Sequence, residues 1–186
     1  MTKNISLISK RTKKLKKKEI TSICKLKNSH WKWTLKNQIH WFKNKVEPLD
    51  INNMLFFKNK LVGYTLLRKR QAYQKKKYFY YYYFDSYLIH KNFYGQGLSN
   101  KLINFNNNII KKLKKHAFLI CSKKMIPYYI KFNWKILPKK NFKIEDHKPV
   151  WFKSESDIFG MTYMLKKNKH KIFYYLNKKN KKLKRI

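Results

Sequence analysis

Acidic residues are scarce in this sequence: 8 Asp+Glu stand against 47 Lys+Arg, for a formal net charge of +39 over 186 residues. Only two cysteines occur, Cys24 and Cys121, which excludes a disulfide framework and points to a reducing compartment. Four glycines and four prolines exclude collagen-like and Pro/Gly-rich low-complexity chains. No stretch approaches the ~18 apolar residues of a membrane span, and the opening Met-Thr-Lys-Asn-Ile-Ser-Leu-Ile-Ser-Lys has no apolar run of signal-peptide length. The expectation is a cytoplasmic chain without integral membrane association. His and Cys fall at no ligand spacing, so no metal site is expected.

What is present is apolar and aromatic. Hydrophobic residues make up 43% of the chain and aromatics 17%, enough to bury a core and to exclude wholesale disorder. The length suits one domain, expected over residues 1–166, with a basic C-terminal tail over 167–186. The positive charge has two readings. Lysines that neutralise phosphates release counterions, so non-specific binding to polyanions is expected. The abundance of Lys, Asn, Ile, Phe and Tyr throughout also fits a base-composition bias. From Lys166 onward ten Lys/Arg and no acid surround Ile172, Phe173, Leu176 and Leu183; a basic helix over a sheet edge, a frayed end, or a surface for membrane or RNA all fit.

Periodicity orders the elements. A short strand is expected at about 4–9, then the charge run Lys10–Lys18 opening a helix that continues through Ile20, Ile23, Cys24 and Leu26. A second helix covers about Thr34 to Lys45. Met54–Phe57 and Leu61–Leu67 read as a β-hairpin, and Tyr78–Ile89 as a long aromatic strand. Leu98, Leu102, Phe105, Ile109 and Leu113 recur at helical spacing, and Ala117–Cys121 reads as a buried strand parallel to the aromatic one, a βαβ unit. A short helix near 124–132, a strand at Trp134–Leu137 and a last strand near Met161–Leu165 complete an α/β sandwich with a mixed sheet.

Gly95 and Gly97 stand between the aromatic strand and the following helix, a place where backbone N–H groups can meet a phosphate. A dinucleotide site would need a third glycine and a downstream acid, but position 100 is Asn100 and no acid follows before Glu145; a Gly-Lys-Ser/Thr motif is also missing. The stretch Leu88-Ile89-His90-Lys91-Asn92-Phe93-Tyr94-Gly95-Gln96-Gly97-Leu98-Ser99 instead resembles the acetyl-CoA signature of the GNAT superfamily of N-acetyltransferases. Tyr94 and Ser99 depart from the family's commonest wording, which binding through backbone N–H tolerates. Tyr128-Tyr129-Ile130-Lys131-Phe132-Asn133-Trp134 is similar to the family's Phe-Tyr-x-Lys-x-Gly-Phe, with Asn133 where Gly is usual, and Leu61-Val62-Gly63-Tyr64 resembles its Val-Gly-Tyr hairpin.

The resemblance implies a GNAT-like three-layer α/β (α+β) sandwich with a mixed, mostly antiparallel sheet of six to seven strands around a central βαβ unit. It implies acetyl-CoA as acyl donor, held by Leu88, Ile89, Tyr94, Gly95, Gln96, Gly97, Leu98 and Ser99. The N–H of Ile89 is the candidate oxyanion donor. Tyr129 is the candidate acid that protonates the leaving thiolate, with packing as its alternative. Among the eight acids, Asp85 lies on the strand that lines the family's acceptor cleft; it is the candidate base, with pairing to a cation or electrostatic anchoring of the acceptor as alternatives. His90 is next in line, and Glu145-Asp146-His147 lies in a loop able to reach over a cleft. Trp31 and Trp33 fall where the family shapes its acceptor site and suit the ring of an amino sugar. The expected acceptor is a small-molecule amine, an amino sugar or nucleotide-linked amino sugar, with a protein N-terminus as alternative. Homodimers are frequent in the family. The rival from another class is a non-catalytic basic module that binds RNA or the ribosome on the same scaffold.

Overall fold

The computed structural model describes residues 4–146, 154, 157–166 and 170–177. Nine strands and four helices lie among them: β1 (Ile5–Arg11), α1 (Lys17–His30), α2 (Leu35–Lys45), β2 (Ile51–Phe57), β3 (Lys60–Gln74), β4 (Lys77–Ile89), α3 (Leu98–Leu113), β5 (Ala117–Cys121), α4 (Ile126–Ile130), β6 (Lys135–Leu137), β7 (Phe142–Ile144), β8 (Phe159–Tyr163) and β9 (Ile172–Tyr174). The strand order is β1-β2-β3-β4-β5-β8-β6, with β9 paired to β3 and β7. The ladder is antiparallel except at β4/β5 and β7/β9. The parallel pair flanks α3, the expected βαβ unit.

The chain divides into two compact units, one of residues 1–68 and 84–109, the other of 69–83 and 110–186; β3 and β4 each run from one into the other. In the first unit β1, β2 and the start of β3 form an antiparallel meander. Side chains alternate across a strand, and both faces of this sheet are apolar. Met54, Tyr64, Leu66 and Leu88 point to one side, where Ile23, Leu26, Phe42 and Val46 of α1 and α2 cover them. Leu55, Val62 and Ile89 point to the other, where Leu98 and Leu102 of α3 pack. This is the three-layer arrangement. Glu19 accepts from the Lys16 N–H at 2.8 Å to cap α1, and Thr34 Oγ1 accepts from the Asn37 N–H at 3.2 Å to cap α2.

The second unit has an aromatic core. Phe118 stacks on Tyr174 with ring centres 3.9 Å apart, and Tyr81 meets Tyr174 edge-on at 4.7 Å. Tyr83, Ala72, Phe142, Ile172 and Leu176 complete the cluster. The tyrosine run Tyr81–Tyr83 is therefore packing.

Several expectations shift. Lys10 and Arg11 end β1 instead of opening a helix, and a single tight turn at Thr12–Lys14 precedes α1. Repulsion along the run is relieved where Lys10 Nζ meets Glu19 at 2.7 Å. β3 continues past Leu67 through Arg68 and Arg70, both buried, because partners await them: Arg70 Nε donates to the Leu176 carbonyl at 3.0 Å. Beyond Lys166, residues 172–174 form strand, not helix; an Ile-Phe-Tyr triplet has high strand propensity, and it pairs with both β3 and the equally short β7.

Candidate functional site

The site is built where β4 turns into α3. Neighbouring strand N–H groups point to opposite edges. The His90 N–H donates to the Val62 carbonyl of β3 at 2.7 Å, so the Ile89 N–H points away from β3. Beyond it Lys91–Phe93 makes one tight turn, held by Phe93 N–H to His90 O at 2.9 Å. The chain then passes through Gly95 (φ 76°) and Gly97 (φ 69°), both in the left-handed region. A Cβ built on either would have no heavy atom within 4 Å. The backbone is thus bare and open at the mouth of a 16-residue helix with no acid in its first turn. The N–H groups of Leu98, Ser99 and Asn100 have no acceptor inside the helix, so the loop presents donors to an anion.

The surroundings fix this loop. Leu88, Ile89 and Leu98 are buried, so their side chains anchor the loop in the core. Tyr87 Oη donates to the Ser99 carbonyl at 3.0 Å, tying β4 to the start of α3. Gln96 Nε2 donates to the Asn92 carbonyl at 3.3 Å across the loop. Tyr94 is 59% exposed and leaves the cradle uncovered. Further along α3, Asn106 Oδ1 accepts from Asn53 Nδ2 at 2.8 Å and Thr65 Oγ1 at 2.9 Å, a buried polar peg that sets the helix on the sheet. Gly63 admits the helix: a Cβ there would lie 2.7 Å from Ile89 Cδ1 and 3.1 Å from Leu102 Cδ2. The Val-Gly-Tyr wording thus has a packing reason.

Asp85 is partnered. Its Oδ2 accepts from Arg68 Nη1 at 3.0 Å and its Oδ1 from the Ser86 N–H at 2.7 Å. Arg68 also donates to the Lys45 carbonyl at 2.8 Å and lies 3.9 Å from the buried Asp50. Sequence reasoning missed the neighbour of this cluster, Lys27. It is 4% exposed, its Nζ sits 3.5 Å from the centre of the Trp41 ring, and burial pulls its pKa down to about 8 although the Asp85 charge opposes this. A lysine within an apolar helix face has the same sequence signature as one pointing to solvent, so no periodicity reveals it.

His90 Nδ1 accepts from the Asn92 N–H at 3.4 Å, closing the turn before the glycines. Trp31 and Trp33 part company: Trp31 is half-buried against the α1/α2 core, edge-on to His30 at 4.8 Å, while Trp33 is 44% exposed and lines a surface groove with Trp41. A paired-indole platform is not formed. The α1 register carries Trp31 back onto Lys27, 5.5 Å from its ring.

Tyr129 lies in the second unit on α4, 7% exposed, edge-on to Tyr128 at 5.6 Å and to Trp134 at 6.1 Å. Burial, with the Cys121 and Tyr128 side chains adding to it, pushes its hydroxyl well above the usual tyrosine range, so it keeps its proton at neutral pH. Asn133 takes φ 65° and ends the helix as its Gly-like position requires. Glu145 pairs with Lys143 at 3.1 Å, and Asp146 accepts from the N–H groups of Leu176 and Asn177 at 2.7 and 2.9 Å, which commits it to holding the chain after β9. His147 lies outside the described residues. Burial raises both Cys24 and Cys121 to about 11, leaving them as thiols. Among the described residues no three His, Cys, Asp or Glu side chains gather as metal ligands, and no helix is long and apolar enough to cross a membrane.

No protein-family model matches the sequence, and no curated protein matches it. Solved structures do match in fold. An acyl-CoA N-acyltransferase from Pseudomonas aeruginosa superposes on 85% of this chain and 98% of its own, with a TM-score of 0.61 at 12% identity. An acetyltransferase of the GNAT family from Streptococcus pneumoniae covers 85% and 98%, with a TM-score of 0.57 at 12% identity. Naa50 of Arabidopsis thaliana, solved with the bisubstrate analogue CoA-Ac-MVNAL, covers 87% and 99%, with a TM-score of 0.57 at 14% identity. The fold of this chain is the GNAT fold.

Proposed function

We propose that this chain is an N-acyltransferase that moves an acetyl group from acetyl-CoA to a primary amine. The observation that supports the reading most is the bare, open Gly95–Gly97 backbone at the start of α3, directly after a strand end whose Ile89 N–H faces away from β3. Its donors fit a pyrophosphate, and the N–H groups of Gly95 to Ser99 are the groups that would hold it. Acetyl-CoA bound there supplies an activated thioester. We assign the Ile89 N–H the role of donor to developing negative charge on a carbonyl oxygen. We assign Tyr129, whose hydroxyl burial keeps protonated but also makes a weaker acid, as the hydrogen-bond and proton donor to a leaving thiolate. Asp85 is already ion-paired with Arg68, which weakens it as a base, so the part we assign it is to accept the acceptor ammonium's proton through an intervening water.

The acceptor we favour is a peptide or protein N-terminus. Trp31 and Trp33 do not build the shared platform that an amino sugar would use, and one fold neighbour is solved with a bisubstrate analogue that carries a peptide sequence. The test incubates the protein and acetyl-CoA with short peptides bearing free N-termini, amino sugars and nucleotide-linked amino sugars, and locates product by mass spectrometry. Acetylation of peptide α-amines is expected. Turnover confined to the sugars would refute the acceptor class, and none on any amine would refute the activity.

A further inference from the structure

The outward face of α2 carries a feature that the acetyl-transfer reading does not use. A groove of about 510 Å³ is lined by Trp33, Asn37, His40, Trp41, Asn44 and Lys45. Asn37, His40, Trp41, Asn44 and Lys45 share one side of α2 through i,i+3 and i,i+4 spacings, and Trp33 stands just before its N-cap, Thr34. Trp33 is 44% exposed, Asn44 Nδ2 lies 2.9 Å from His40 Nε2, and both amides keep hydrogen-bonding capacity outward. No carboxylate lines this groove, and the sequence from Ile20 to Val46 has none at all. The chain is cationic here: Lys32, Lys36, Lys43 and Lys45 are all exposed. Beneath Trp41 lie two buried cations, Lys27 Nζ at 3.5 Å and Arg68 Cζ at 5.9 Å from its ring.

Those facts select the ligand. Trp41 already has the Lys27 ammonium against its ring, and the exposed lysines around the groove repel a second cation with no carboxylate to offset them, so an acceptor ammonium is disfavoured there. A neutral sugar would leave the cations unused. A polyanion without rings would leave the exposed indole unused. Only a strand that carries both flat bases and phosphates employs the whole set, and its bases must be free to stack on a side chain, which a duplex prevents. The 11 residues of α2 span about 16 Å, room for more than one nucleotide. We propose that this face of α2 binds single-stranded nucleic acid, with an unpaired base stacked on Trp33, its edge read by Asn37, Asn44 and His40, and its phosphates held by the α2 lysines.

A chain of net charge +39 binds any polyanion through charge, so the test separates stacking from charge. Labelled single-stranded RNA and DNA oligonucleotides, the matching duplex and heparin are titrated with the full chain by fluorescence anisotropy over a salt series, with saturating acetyl-CoA present throughout. Trp33→Ala is expected to weaken single-strand binding about tenfold while duplex and heparin binding stay unchanged, and Trp33→Phe is expected to restore most of the loss. Lys36→Gln with Lys43→Gln is expected to flatten the salt dependence. A Trp33-dependent affinity in either strand arm supports the site, and the tighter arm names its source. Equal single-strand affinity of the wild type and Trp33→Ala at every salt overturns the proposal, as does a loss shared equally by heparin. A neutral oligosaccharide whose binding needs Trp33 while the oligonucleotide's does not overturns it too.

Discussion

Lys27 shows how much a single side chain can hold. Its ammonium is buried between α1 and α2 against the Trp41 ring, with Asp85, Cys24 and Arg68 as the charged or titratable groups nearby. Its folded pKa is about 8, below the ordinary lysine value of 10.5, so the unfolded chain binds more protons between those values and this lysine's contribution to stability rises with pH through that window. Below about pH 8 the penalty is complete. Lys27→Met is therefore expected to be more stable than the wild type at pH 7 by about 1–3 kcal/mol, with the advantage shrinking as pH approaches 10. Chemical denaturation of both proteins across that range measures it, and a pH-independent difference would show that the ammonium is not desolvated. Tyr129 is the other residue to which the proposed reaction assigns a task. Tyr129→Phe keeps the ring packing against Trp134 and removes the proton, so kcat is expected to fall about 10²-fold or more with acetyl-CoA affinity unchanged. A variant as active as the wild type would reduce Tyr129 to a core residue.

At the level of elements, the hairpins carry a conflict between sequence and conformation. The β3–β4 turn places Lys75 (φ 47°) and Lys76 (φ 61°) in the left-handed region, a two-residue turn that Asn-Gly fills without strain. Replacing the pair by Asn-Gly is expected to stabilise the protein by about 1–2 kcal/mol, read as a higher denaturation midpoint; an unchanged midpoint would mean that the turn adds nothing to folding. The elements also show what the sequence made legible. Seven strands and the helices α1 to α4 follow from period-2 and period-3.6 patterns, because each buries one or both faces. β7 and β9 escape because three residues carry no period; β6, equally short, was legible only by its place after the α4 segment. The extension of β3 through Arg68 and Arg70 escapes because buried arginines read as solvent-facing until their carboxylate and carbonyl partners are known. The Gly95–Gly97 loop was legible since two of only four glycines stand at a strand-to-helix junction. That Arg68 is the cation paired with Asp85, and that Trp31 parts from Trp33, were not, as the first needs β3 laid beside β4 and the second the end of α1, which turns Trp31 back onto Lys27.

Over the whole molecule, the charge and the fold invite opposite readings, since polyphosphates bind any chain this basic while an acetyl-CoA site binds one of them through a fixed backbone geometry. Calorimetric titration of acetyl-CoA at low and high salt, with ATP as the comparison and Gly97→Val as the variant, separates the two. A β-branched residue is disfavoured at φ 69°, so Gly97→Val displaces the N–H groups without altering charge. The account predicts saturable acetyl-CoA binding that survives high salt, exceeds ATP and is lost in Gly97→Val while the variant's melting transition remains cooperative. Binding no tighter than ATP, abolished by salt and indifferent to Gly97→Val would contradict it.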